Sequence, residues 1–184
     1  MPAFKSNKQT IKYIKEKGRS LPIHECFATE GWQENGMGTF VISRKMPGGN
    51  YAIALFLLDI FCLGVKEAFY RVNLDDDEYE EFKTEKLPQG EPDHFDPHHF
   101  HNLIYGAIDF AEEYGFQPGK GFEVAEYMLD PDMITDKIDD LTFGHNGIPH
   151  YMQGPMDSNA QAARIINKLQ ETAGENNYYY TVVK

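Results

Sequence analysis

Residues 39–61 read TFVISRKMPGGNYAIALFLLDIF, in which two apolar runs lie on either side of the break MPGGN. Runs rich in β-branched and aromatic residues around a Pro-Gly-Gly-Asn turn are typical of a β-hairpin. The second run is apolar at both sets of alternating positions, and a strand with two apolar faces is covered on both sides. The stretch therefore predicts a central strand with chain packed above and below it.

The segments around this hairpin divide into strands before it and helices after it. LPIHECFAT, ahead of the hairpin, is rich in strand formers. Asp96 and Pro97 suit the start of a helix with one apolar face, which Gly115 ends. Ser158 and Gln161 have capping-box spacing before the last helix. This order predicts an α+β fold, an antiparallel sheet of mostly N-terminal strands packed by C-terminal helices.

The chain of 184 residues is expected to form a single domain. Within it we distinguish a basic N-terminal helical arm at 1–19, a core α+β domain at 20–174 and a C-terminal tail or edge strand at 175–184. A second hairpin is predicted in TFGHNGIPHYM, because Asn146-Gly147 is a favoured two-residue turn.

Composition excludes several classes of protein. A chain that is 41% hydrophobic and 14% aromatic is not disordered, and its apolar runs are too short to span a bilayer. The N-terminus lacks the apolar core of a signal peptide, so we expect a bacterial-style cytoplasmic protein. The net charge of −12 argues against nucleic-acid binding, which needs Lys and Arg at the phosphates.

Asp59, Cys62 and Lys66 form the candidate catalytic group, in the stretch LDIFCLGVKEAFY. A reactive thiolate needs a neighbouring cation or base to lower its pKa. Lys66 reaches Cys62 if the segment after Gly64 turns helical, and Asp59 would then orient the lysine. The alternative is structural: buried cysteines are common, and a buried Asp59 needs a partner, for which we favour an ion pair with Lys66 or Arg44 over backbone N–H groups.

Four histidines lie in DHFDPHHFH, and imidazole binds zinc, nickel and copper. On the predicted helix, His98 points away from the apolar face and His99 and His101 lie on its flanks. His94, His98 and His101 are the three that can meet, but no metal-binding motif supports them. We therefore expect no cofactor beyond adventitious zinc or nickel, and keep a metal or pH sensor as an alternative function.

Four further residues are candidates for binding: Trp32, Arg44, Gly154 and Asp157. Trp32 lies in a polar loop, where a tryptophan either marks a contact site or folds back over the core. The segment QGPMDS precedes a capped helix, whose free N–H groups can hold an anion. Asp157 would repel an anion, which favours a purely structural entry to the helix.

Five segments resemble, in sequence and order, an uncharacterised bacterial domain family: IHECF, WQENGMGTFVISR, LLDIFCLGVKEAFY, YGAIDFAEEYGFQP and FGHNGIPHYMQGPMDS. The resemblance spans roughly residues 20–170 and implies no activity. It does not extend to the histidine run. The positions to which it draws attention are Trp32, Arg44, Asp59, Cys62, Gly64, Lys66, Gly154, Pro155 and Asp157.

The sequence favours a binding or accessory protein whose partner is another protein, because no familiar catalytic motif is present. The alternatives are a thiol-dependent enzyme that uses Cys62 and the histidine-based sensor. The sequence leaves the oligomeric state, substrate and pathway open.

Overall fold

The predicted hairpin lies in the middle of the molecule. In the computed structural model, which describes residues 7–86, 90–135 and 141–182, strands β2 (Met37–Lys45) and β3 (Tyr51–Asp59) pair antiparallel along their whole lengths. Every residue of β3 except Leu57 is buried. This burial on both faces explains why the strand is apolar at every position up to Asp59.

The sheet extends from this hairpin in both directions. β4 (Gly64–Leu74) flanks β3, while β1 (Ile23–Ala28) and then the short β5 (Asp93–His94) lie beyond β2. The order is β4-β3-β2-β1-β5, with all neighbours antiparallel. The prediction of an α+β fold with an antiparallel N-terminal sheet is confirmed.

Helices cover the two faces of the sheet unequally. On one face lies α4 (Pro97–Glu113), which begins where the Asp96 side chain accepts a hydrogen bond from the His98 N–H, as predicted for a helix cap. On the other face lies α3 (Asp76–Lys86), in which only Tyr79 and Phe82 are buried. The remaining helices are α1 (Asn7–Lys17), α2 (Trp32–Asn35), α5 (Phe122–Ala125) and α6 (Asn159–Thr172).

The C-terminal part forms its own small sheet. β6 (His150–Met152) and β7 (Tyr179–Thr181) pair in parallel, and α6 connects them. The predicted capping box at Ser158 and Gln161 is confirmed. The prediction of a second hairpin was wrong in its pairing, because the turn at Asn146-Gly147 closes on a single bridge and β6 pairs with β7 instead.

The basic N-terminal segment lies partly outside the described residues, and its described part, residues 7–19, packs against the rest of the chain. Ile14 of α1 is fully buried, and Lys15 and Arg19 lie over the ring of Tyr127. The division of the chain into arm, core and tail stays a prediction. No helix within the three described stretches is long and apolar enough to cross a membrane.

Candidate functional site

Asp59 ends β3 and shapes the turn to β4. Its Oδ1 accepts hydrogen bonds from the backbone N–H groups of Phe61 and Cys62, both at 2.9 Å. The side chain is buried, and burial raises the pKa of the carboxyl to about 6 against the opposing effect of these N–H groups and Lys66. The expectation that Asp59 forms an ion pair with Lys66 or Arg44 is therefore wrong, since the hydrogen-bond partners of Asp59 are backbone groups.

Cys62 lies within this turn and is fully buried. It belongs to a small apolar cluster with Tyr151, Ala162 and Leu169. Burial, reinforced by the nearby Asp59, raises the pKa of the thiol, so the group is protonated at neutral pH. This environment is typical of a core cysteine and does not favour a nucleophile.

Lys66 is part of a strand rather than a helix, and its partner is distant in sequence. Its Nζ lies 3.2 Å from Asp157 Oδ2. The same oxygen accepts hydrogen bonds from the Tyr151 hydroxyl at 3.1 Å and from the Gly154 N–H at 3.0 Å. Burial raises the pKa of Asp157, but these three donors outweigh it and hold the pKa below its ordinary value.

This network joins the start of β4 to β6 and to the entry of α6. Burial and the adjacent Asp157 raise the pKa of Tyr151, which keeps the phenol protonated. The Lys66 amine is paired with Asp157, and the Cys62 thiol is protonated. Of the predicted residues, Lys66, Gly154 and Asp157 are brought together in one hydrogen-bonded network.

A test of the thiol follows directly. We expect Cys62 to be alkylated by iodoacetamide in the native protein no faster than Cys26, whose pKa burial raises to about 12. Both thiols should react only as the chain unfolds, and Lys66→Met should not slow the reaction of Cys62 at neutral pH. Mass spectrometry across pH measures both rates. Fast labelling of native Cys62 that the lysine change suppresses would revive the thiolate hypothesis.

Arg44 lies buried under the 3-10 helices at Gly18–Ser20 and Glu126–Met128. Its Nε donates a hydrogen bond to the Met128 carbonyl at 2.9 Å, and its Nη1 donates to the carbonyls of Arg19 and Leu21. The guanidinium thus holds three backbone carbonyls in place, and the structure puts it in a supporting position rather than on a binding surface.

Trp32 folds back over the core, the second of its two predicted positions. Only 6% of the residue is exposed. Its Nε1 donates a hydrogen bond to Asp93 Oδ2 at 3.0 Å, and its ring packs edge-on against Phe40. Trp32 therefore anchors β5 to the sheet.

The three candidate metal ligands go to different partners. His94 Nδ1 lies 3.8 Å from Glu25 Oε2, while His98 Nδ1 contacts the Met133 carbonyl oxygen. His101 is fully buried, and its Nδ1 lies 2.6 Å from the Pro97 carbonyl. Across residues 7–86, 90–135 and 141–182, no group of three His, Cys, Asp or Glu side chains is placed to hold a metal ion. The predicted convergence of these histidines is corrected accordingly.

A groove that the sequence did not predict lies on the sheet face that carries α3. Its volume is about 480 Å³. The buried side chains of Ile53, Leu55 and Phe82 form its floor. Phe69 of β4 lies beside them with 54% of its surface exposed. The residues that complete the lining are Thr39, Leu57, Tyr70, Arg71, Glu85 and Lys86.

The groove exists because α3 covers only part of the sheet face on which it lies. With two buried apolar residues, the helix covers Tyr51, on whose ring Tyr79 stacks, but leaves the far part of β3 and β4 open. The sequence carried one signal for it. Phe69 alternates with Glu67 and Arg71 on one face of β4, so a large apolar side chain stands among charges on a face that is expected to be solvated.

Comparison with family models, with curated proteins and with solved structures finds no match for this chain. The resemblance to an uncharacterised bacterial family therefore stays an expectation from the sequence.

Proposed function

We propose that the protein is a binding protein whose partner is another protein, and that the groove beside α3 is its binding site. The observation that carries this proposal is the half-exposed Phe69 next to the apolar floor of the groove. Exposed aromatic side chains beside apolar depressions are typical anchors of protein interfaces.

The chemistry of the groove supports a protein partner over a small metabolite. Small-molecule sites combine an apolar wall with a few polar groups that converge on the ligand. Here the floor is apolar, whereas the charged residues Arg71, Glu85 and Lys86 are exposed at the rim. An apolar centre with a charged rim is the usual arrangement of a protein interface.

The net charge of −12 supports the same choice, because a nucleic acid would be repelled by most of the surface. We also propose that the protein is located in the cytoplasm. The buried Cys62 and the paired Lys66 add no support for an enzyme that uses them.

Affinity capture from the source cell tests the proposal, with the protein as bait. We expect Phe69→Ser to retain at least tenfold less of each protein that the wild type retains. The small serine side chain cannot make the apolar contact that the Phe69 ring offers to a partner. The matched control is Tyr180→Ser, which removes an equally exposed aromatic residue from β7. Urea unfolding of each bait should show an intact domain. Capture of no protein above background, or equal losses in both variants, would contradict the proposal.

A further inference from the structure

β4 lies at the edge of the sheet, and the first half of its outer edge is already covered by the chain itself. The Ala68 N–H donates a hydrogen bond to the Lys120 carbonyl at 2.9 Å, and the Gly119 N–H donates to the Val65 carbonyl at 2.8 Å. A Cβ atom at Gly119 would lie 1.8 Å from the Lys66 carbonyl oxygen. Glycine is required here because two backbones touch, so this edge accepts an added backbone.

The second half of the edge is open. In an antiparallel pair, the backbone groups of alternate residues point toward and away from the partner strand. The backbone N–H of Ala68 is directed away from β3, and the register with β3 is unbroken from Ala68 to Val72. Tyr70 and Val72 therefore also direct their N–H and C=O groups outward. Within the described chain, no backbone group outside the sheet bonds to either residue.

The side chains that flank this open edge belong to the groove. Phe69 and Arg71 point to the α3 face, where both line it. Lys86 Nζ lies 2.8 Å from Glu85 Oε1, and Lys86 together with the more distant Arg71 lowers the pKa of Glu85. A strand added at the edge would thus meet an exposed aromatic ring and, two residues along, a guanidinium with no direct ion-pair contact among the described residues.

We propose that the groove binds an extended segment of a partner protein, which adds to β4 at 70–72 as a further strand. This proposal rests on the proposed function above and names the form of its ligand. Tyr70 and Val72 supply backbone hydrogen bonds, which give affinity without regard to sequence. Phe69 selects an apolar side chain and Arg71 selects a carboxylate two residues away, because cross-strand apolar and opposite-charge pairs are favourable. The ligand is an alternating strand with one carboxylate opposite Arg71, rather than a helix.

The test uses a synthetic peptide, the capped sequence TVTVTDTVTV, in which valine and aspartate share one face of a strand. We expect it to bind the full chain and to slow hydrogen exchange of the Tyr70 and Val72 amides at least tenfold. The control peptide TVTVTKTVTV should bind at least tenfold more weakly, because its lysine faces Arg71.

Val72→Pro is the decisive variant, since proline removes an N–H that faces away from β3 and is tolerated on an edge. It should weaken the binding of the peptide at least tenfold. Tyr180→Ser, which changes an exposed residue of β7 away from this edge, should bind the peptide as well as the wild type. Urea unfolding of both variants checks that the sheet is intact.

The outcomes separate the two proposals. Equal binding to the wild type and Val72→Pro, with loss in Phe69→Ser, would overturn strand addition and leave the groove as a binding site. If the peptide does not bind, while Phe69→Ser still loses the captured proteins, strand addition is likewise overturned and the groove stays a binding site. A self-association of the free chain that Val72→Pro abolishes, measured by sedimentation, would make a second copy the occupant and also overturn the inference. Loss of both activities in Phe69→Ser and Val72→Pro supports it.

Discussion

Replacement of Asp157 with alanine is expected to lower the free energy of unfolding by roughly 3 kcal/mol. Asp157 Oδ2 accepts hydrogen bonds from the Tyr151 hydroxyl and the Gly154 N–H and pairs with the Lys66 ammonium. Tyr151 is fully buried and the Lys66 side chain is 15% exposed, so alanine leaves two desolvated polar groups without a partner. Urea unfolding at neutral pH measures the loss.

A double-mutant cycle assigns this effect to the network. Once Lys66 is methionine, the Asp157→Ala change no longer leaves a largely covered ammonium unpaired. The two changes together should therefore cost clearly less than their sum. Full additivity would mean that the contact between Lys66 and Asp157 contributes nothing to the free energy of unfolding.

Asp157 also predicts a loss of stability in acid. Its pKa in the folded chain lies below the ordinary value of 3.8, so the folded state binds the proton less tightly than the unfolded state. The stabilisation it provides is present above pH 3.8 and is lost as the pH falls through the lower, folded value. Asp157→Ala should lack this component of acid denaturation.

Asp59→Asn is expected to have the opposite dependence on pH. The pKa of Asp59 is about 6 in the folded chain and 3.8 as its ordinary value. The folded state therefore binds the proton more tightly, so stability is greatest below pH 3.8 and falls as the pH rises through about 6. The difference in pKa corresponds to a fall of about 3 kcal/mol. The asparagine variant carries no charge and should not show it.

The turn itself should survive this change. The asparagine carbonyl can accept the same hydrogen bonds from the N–H groups of Phe61 and Cys62. We expect Asp59→Asn to be at least as stable as the wild type at pH 8, whereas Asp59→Ala leaves two N–H groups without their acceptor and should be less stable than Asp59→Asn at every pH. Urea unfolding between pH 4 and 8 gives the comparison. A slope for Asp59→Asn that matches the wild type would show that this carboxyl is not the titrating group.

Local patterns in the sequence predicted the main elements. MPGGN marked the turn between β2 and β3, Asp96 and Pro97 marked the start of α4, and Ser158 with Gln161 marked the start of α6. Each of these signals acts within a few residues, where side chains satisfy the backbone groups that a turn or helix end leaves open.

Contacts between distant segments were beyond such patterns. Lys66 and Asp157 were both singled out, but they are separated by 91 positions, and nothing local pairs them. β6 is only three residues long, and its partner β7 lies beyond a whole helix. The two strands are parallel and α6 forms the crossover between them, a connection that the turn at Asn146-Gly147 did not suggest.

The histidines show a different limit. Periodicity placed His101 on the flank of α4, between the apolar face and the solvent. In the fold, the beginning of α4 lies over β1, so this flank position becomes fully buried. Burial, with a further contribution from Arg44, lowers the pKa of His101 despite the Pro97 carbonyl. A helical pattern gives the direction of a side chain but not the width of the surface that covers it.

The parallel pair of β6 and β7 has a consequence for the order of events during translation. The five strands of the main sheet lie within the first 94 residues of the chain and pair mostly with their immediate neighbours. That sheet can therefore assemble while later residues are still being added, because segments close in sequence find each other quickly. β6 must wait until α6 and β7 have left the ribosome. Until then Cys62, which packs against Tyr151 of β6, lacks its final cover, so a nascent chain should expose this thiol although the finished protein hides it.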